Sequence, residues 1–143
     1  TSAQVAGLTS SQFSALTSTQ IRSLSTSSIV ALNTAQVAAL SSRVIGSLST
    51  EQVIAMTTGQ IEALTAAQIA ALGSAAIRAL EDGDLQLFAT EDIAAIATSA
   101  IAGLSTQDID DLSSAQLFAL TTPQVQAMND VQLAAVIAAY QDI

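Results

Sequence analysis

Every eighth residue of this chain is apolar, without a break. From Leu8 the series runs through Leu16, Leu24, Leu32 and Leu40 to Leu120, Met128 and Val136. A second series lies three residues earlier, from Val5, Phe13 and Ile21 to Ile109, Leu117, Val125 and Leu133. Seventeen octads fill residues 1–136, and no insertion shifts their register. Within each octad, positions one and two are mostly Ser or Thr, position four is usually Gln and position seven is nearly always Ala, Ser or Gly. A fixed internal period is the signature of a repeat architecture, so the fold must be one that eight residues can generate.

A period of eight excludes most of the alternatives. At about 100° per residue, eight helical residues advance roughly 800°, about 80° past two full turns. On one long helix the apolar stripe would therefore spiral and bury nothing against a single partner. A coiled coil needs a seven- or eleven-residue period. In a strand, spacings of three and five are both odd, so the two apolar series would point to opposite faces. Ala and Gln are also poor strand formers.

Short helices separated by turns fit. Two registers are open for the cap. Ser or Thr at position two can cap a helix whose first residue is position three, where Pro123 would stand favourably. Alternatively, position one caps, and Ser/Thr-x-x-Gln is a capping box, as from Thr65 to Gln68. Either way the fold class is all-α, a solenoid of short N-capped helices, one per eight-residue repeat. A helix below about 12 residues is marginal alone. Stacked octads sharing one core remove that difficulty, and Ala at position seven lets neighbouring helices approach closely.

The C-terminal end departs from the repeat. Leu133, Val136, Ile137 and Tyr140 have the i, i+3, i+4, i+7 spacing of one longer amphipathic helix, over about 131–142, with Asp130 as its N-cap. The expected organisation is thus one solenoid of seventeen octads over 1–136, with 137–143 ending a C-terminal capping helix. The first octad keeps the ordinary consensus, as if cut from a longer array or shaped to meet another chain.

Composition removes most chemistry. The chain holds three Arg, no Lys, no His and no Cys, and its net charge is −9. Without His or Cys there is no Ser-His-Asp triad, no Cys nucleophile, no common zinc site and no disulfide. Nucleic-acid affinity rests on Lys and Arg, so no nucleic-acid partner is expected. No apolar run reaches about 18 residues, so no transmembrane segment is expected. No basic-then-apolar leader opens the sequence, so any signal peptide is removed or lies outside it. The paired carboxylates Asp110 and Asp111 would diverge on a short helix, and an enzyme is not expected.

Four features remain as candidates for function. Eight of the twelve acids fall within residues 81–111, and Asp82, Asp84 and Asp92 are weak candidates for Ca²⁺ as hard oxygen ligands near a turn. The EF-hand template fails there, because the twelfth position counted from Asp82 is Ile93. These acids read first as caps and as charges at helix N-termini, leaving no cofactor expected. The Gln column reads as satisfying turn backbone groups or pairing with the next Gln, ahead of a ligand ladder. The Ser/Thr columns read as caps, ahead of a hydroxyl array of the ice-binding kind. Finally, outer position six holds Val30, Ile54 and Phe118, and a surface this poor in charge favours lateral or end-to-end association.

The octads Leu32–Ala39 (Leu-Asn-Thr-Ala-Gln-Val-Ala-Ala) and Leu64–Ala71 (Leu-Thr-Ala-Ala-Gln-Ile-Ala-Ala) resemble the octapeptide repeat arrays of large bacterial secreted or surface proteins of adhesin-like type. The resemblance covers almost the whole chain and carries no catalytic residue. It implies an extracellular or cell-surface location and a structural role: a stalk, spacer or self-assembling subunit of a filament, matrix or adhesin. The alternative is a module that binds a ligand or surface, Ca-dependently or through its hydroxyls. For self-association, the expected contact residues are Val5 and Leu8 at one end and Leu133, Val136, Ile137 and Tyr140 at the other.

Overall fold

The computed structural model describes residues 2–81 and 83–141. Among them the chain is helical and contains no strand, with one short helix in each octad. Most helices are α-helical and four to six residues long, such as Ser18–Arg22, Thr34–Ala39 and Ala66–Ile69. The eleventh and thirteenth octads instead form 3-10 helices, Asp84–Leu87 and Thr98–Gly103.

Each α-helix starts for a local reason. The residue at position one is extended, and in most helices its side-chain oxygen accepts from the position-four amide. Thr9, Thr17, Ser25, Asn33, Ser41, Ser49, Thr65, Ser105, Ser113 and Thr121 all cap in this way, whereas Thr57, Gly73 and Ala89 make no such bond. Where position four is Gln or Asp, its side chain accepts in return from the position-one amide. In the ninth octad Gln68 N donates to Thr65 Oγ1 at 3.3 Å, and Thr65 N donates to Gln68 Oε1 at 2.9 Å. Two backbone donors orphaned by the helix start are thereby satisfied.

This geometry decides between the two cap registers. Position two is the first helical residue, so the register with position two as cap is incorrect. The reciprocal bond needs a spacing of three between cap and Gln, and only position one provides it. Pro123 is accordingly the second residue of Thr122–Gln126, not the first. It is tolerated there because that amide would lack an intrahelical acceptor anyway.

Each helix before the last octad ends after little more than one turn. In the eighth octad the position-eight amide donates back to the position-five carbonyl, Leu64 N to Ile61 O at 3.1 Å, and the chain then extends into the next cap. Gly83 is the one exception in conformation among the described residues, with φ of 96°. It turns the chain where the eleventh octad begins irregularly.

The octads wind into a superhelix with between three and four octads per turn. Helices three octads apart are packed neighbours: Arg78 Nη2 donates to Ala102 O at 3.0 Å, and a Cβ on Gly46 would lie 2.5 Å from Ala71 O. Gly103 is similarly pressed against Ser74 O. These two glycines are required by close backbone approach. Position five fills the centre, with Phe13, Ile21, Ile69, Ile101 and Ile109 fully buried. Position eight lies at its margin. Leu32, Leu40 and Leu64 are buried, and Leu8, Leu16, Leu24 and Leu48 are half-buried.

The C-terminal helix is Asp130–Gln141, beginning one residue earlier than its sequence pattern suggests; residue 142 lies outside the described residues. Its cap is Asn129, not Asp130. Asn129 Oδ1 accepts from Val131 N at 3.0 Å and Gln132 N at 2.9 Å. Asn129 stands at position one of its octad, so the same capping register persists to the end of the array.

Candidate functional site

The Gln column is the element that ties the solenoid together. Gln68 Oε1 is engaged in its own cap, while its Nε2 reaches back to the previous superhelical turn. There it donates to Val37 O at 2.9 Å and Leu40 O at 2.7 Å. The same bridge recurs with the same offsets. Gln52 reaches Ile21 O and Leu24 O, and Gln60 reaches Ile29 O and Leu32 O. Gln116 reaches Leu85 O and Phe88 O; Gln124 reaches Ile93 O and Ile96 O; Gln132 reaches Ile101 O and Leu104 O. Gln36 makes the variant bond pair, to Ala6 O and Leu8 O.

Each bridging Gln is 1–4% exposed, yet no buried side-chain nitrogen or oxygen among the described residues lacks a partner. The acceptors are the position-five carbonyl, which already takes the helix-end amide of position eight and has a second lone pair free, and the position-eight carbonyl just beyond the helix end. One side chain therefore closes the start of one helix and the end of another, four octads away. Sequence reasoning anticipated the backbone role of Gln. It missed the distant carbonyls, because their offsets depend on the superhelical pitch. The bridging Gln residues pair with backbone carbonyls, not with one another.

The acids at position four fit the same scheme with one half missing. Asp84 Oδ2 accepts from Glu81 N at 2.9 Å, Asp92 Oδ2 from Ala89 N at 3.0 Å and Asp108 Oδ2 from Ser105 N at 2.7 Å. A carboxylate keeps the acceptor that a cap needs and loses the amide donor that a bridge needs. The acidic stretch thus holds three cap acceptors distributed over separate octads. Among the described residues no group of three acids is close enough to hold a metal ion. Asp82, the remaining Ca²⁺ candidate, lies outside the described residues. Asp111 Oδ1 accepts from Gln107 Nε2 at 3.0 Å, and Asp110 is exposed beside it.

The proposed contact residues fall into three environments. Val5 and Leu8 are half-buried at the first turn. Val136 is 3% exposed and belongs to the core, so it presents nothing to a partner. Leu133, Ile137 and Tyr140 are exposed on the C-terminal helix. Tyr140 packs edge-on against the ring of Phe118, with centroids 5.4 Å apart, and its hydroxyl donates to Leu117 O at 3.0 Å. At position six, Val30 and Ile54 are about half exposed, and they stand on helices one superhelical turn apart. No described helix is long and apolar enough to cross a membrane.

No curated protein matches the sequence. A family model for the ALTTAQ repeat matches four overlapping stretches, residues 18–50, 29–66, 53–88 and 86–122. The motif spans position seven of one octad to position four of the next, as in Ala63-Leu64-Thr65-Ala66-Ala67-Gln68 and Ala119-Leu120-Thr121-Thr122-Pro123-Gln124. It therefore holds the cap and the bridging Gln together, and since the matches run through most of the chain, this protein belongs to the ALTTAQ repeat family.

Proposed function

We propose that this structural repeat protein serves as a stalk, a spacer or a self-assembling subunit of a bacterial extracellular filament, matrix or adhesin, and that it catalyses nothing. The observation that carries this reading is the row of Gln bridges. They put side-chain hydrogen bonds between successive superhelical turns along both halves of the array. An array joined by nearest-neighbour contacts transmits position from one end to the other and grows by adding repeats. The resemblance of the octads to bacterial surface and secreted arrays supports the location. The low charge, with three cations in the whole chain, supports association with like surfaces.

Negative-stain microscopy of the purified chain tests the reading. Rods of constant width, or filaments built from them, are expected. Compact monodisperse particles whose melting temperature rises by several degrees with millimolar Ca²⁺ would instead identify a binding module, because a ligand selective for the native state stabilises it by mass action.

A further inference from the structure

The charges of this chain are sorted along the sequence and again around the superhelix. Residues 1–80 hold three Arg and two Glu, a net charge of +1, while residues 81–143 hold ten acids and no Lys or Arg. The three Arg stand in the third, sixth and tenth octads. Helices three octads apart are packed neighbours, as Ser18–Arg22 is with Ser42–Ile45, and Gln bridges join octads four apart. With between three and four octads per turn, a step of three or of four returns to the same side. Arg22, Arg43 and Arg78 therefore form one column on successive turns. The outer residues on that side are otherwise small and exposed, among them Thr19, Gly46, Ala75 and Ala102. Arg22 and Arg43 are exposed and pair with no acid among the described residues.

A second column lies one octad further on. Glu51, Glu81 and Asp110 stand in the seventh, eleventh and fourteenth octads, again by steps of four and three, and all are exposed. Ile54 shares the octad of Glu51, and Val30 stands three octads before it; both are about half exposed. One octad is a quarter to a third of a superhelical turn, so the basic and acidic columns face different directions.

We propose that the Arg column of one copy docks, antiparallel, on the acidic column of a second copy. The spacings set the direction. The Arg column steps by three octads and then four, the acidic column by four and then three. Laid antiparallel, Arg22 meets Asp110, Arg43 meets Glu81 and Arg78 meets Glu51, all in one register. Laid parallel, the middle pair is one octad out of step. In the antiparallel register Val30 falls opposite Ala102 and Ile54 opposite Ala75, so the two apolar side chains land on the flat surface between the arginines. Exposed ion pairs contribute little affinity. Here they select the face and the register, and the apolar contact supplies the rest. Unlike faces meet, so the contact is heterologous, and side-by-side growth continues into a ring or a ribbon. The inference rests on the self-assembly reading above and adds which faces meet and in which direction.

Sedimentation velocity of the full chain and two variants tests it. The full chain should form oligomers at high micromolar concentration. Their association should weaken about tenfold or more between about 50 and about 500 mM NaCl, as screening shortens the reach of exposed charges. Arg22→Glu with Arg43→Glu should be a monomer, and so should Glu51→Gln with Glu81→Gln and Asp110→Asn. All five positions are exposed, so circular dichroism should be unchanged. Mixed in equal amounts, the two variants should form a dimer and nothing larger, because each retains one working face. The chain has no Cys, so adding Val30→Cys to the first variant and Ala102→Cys to the second should link that dimer on oxidation. A full chain that stays monomeric in low salt overturns the inference, while single rods of constant width leave the spacer reading standing. Oligomers that persist in either variant overturn the charge pairing, and a mixed dimer that fails to link overturns the antiparallel register. A monomeric chain that binds polyglutamate through Arg22 and Arg43 would give the column to a foreign anionic chain and overturn the second copy as its partner.

Discussion

Replacing Gln68 with alanine removes one bond at a cap and the two short bonds between superhelical turns, together with a longer one to Ala38 O at 3.4 Å. The three short bonds are Thr65 N to Oε1 at 2.9 Å, and Nε2 to Val37 O at 2.9 Å and to Leu40 O at 2.7 Å. A typical protein hydrogen bond contributes about 0.5–1.5 kcal/mol net, so the three together amount to roughly 3 kcal/mol. Where water does not reach, a stranded carbonyl adds about 1–3 kcal/mol. Gln20→Ala is the matched control. Gln20 is exposed and loses only its cap bonds, a cost of about 1 kcal/mol. At about 2–4 °C per kcal/mol, Gln68→Ala should lower the melting temperature by roughly 6–12 °C and Gln20→Ala by roughly 2–4 °C. Thermal unfolding followed by circular dichroism at 222 nm reads the difference. Amide exchange should locate it, with faster exchange in the fifth and ninth octads, where the bridge is anchored. Gln68→Glu sharpens the test. Protonated, the carboxyl can still donate one bond; ionised, it faces two carbonyl oxygens in a buried site, which raises its folded pKa. Its stability relative to the parent should therefore be best at low pH and fall as pH rises through that value. Equal losses for Gln68→Ala and Gln20→Ala would refute the bridge as a source of stability.

Other substitutions probe the remaining parts of the scheme. Asp92→Gln keeps the cap and supplies a donor toward Ile61 O and Leu64 O, so it should stabilise the chain by about 1 kcal/mol in urea unfolding, and a loss would show that the Asp octads are spaced differently. Gly103→Ala drives a Cβ into Ser74 O, so it should destabilise by about 2 kcal/mol or more, whereas Gly59→Ala meets only Thr34 Cγ2 at 3.9 Å and should be tolerated. The Glu51 carboxylate is held below the ordinary glutamate range, first by its own backbone amide at the helix start and then by Ser49. A depressed folded pKa contributes stability that is present above the unfolded value and lost as pH falls through the folded one. NMR titration should show Glu51 ionising below an ordinary glutamate, and a value at or above it would contradict the geometry.

The sequence alone determined that each octad starts a helix and which of its columns form the core. Thr65 and Gln68 are three residues apart, the distance a capping box spans, so a helix start was legible at nearly every repeat. Ile69 and Leu72, also three apart, share one face of that helix, which marked the core columns before any packing was known. The same local rule made the twelve-residue C-terminal helix legible, because the apolar spacing of Leu133, Val136, Ile137 and Tyr140 outruns a single octad.

The tertiary structure decided what depends on separations between octads. Nothing local in Gln68 specifies that its amide meets carbonyls 28 and 31 residues earlier. That offset follows from how the buried position-five side chains and close contacts such as Gly46 against Ala71 set the superhelical pitch. Burial on the last helix was likewise undecided by its pattern. Val136 sinks into the core beneath the preceding turn, while Leu133 remains exposed. Even the choice between the two cap registers needed the folded chain, because both put a hydroxyl next to a helix start. Only the paired bonds between position one and position four select one of them: a hydrogen bond inside one turn is fixed by residue spacing, but a hydrogen bond across turns is fixed by packing.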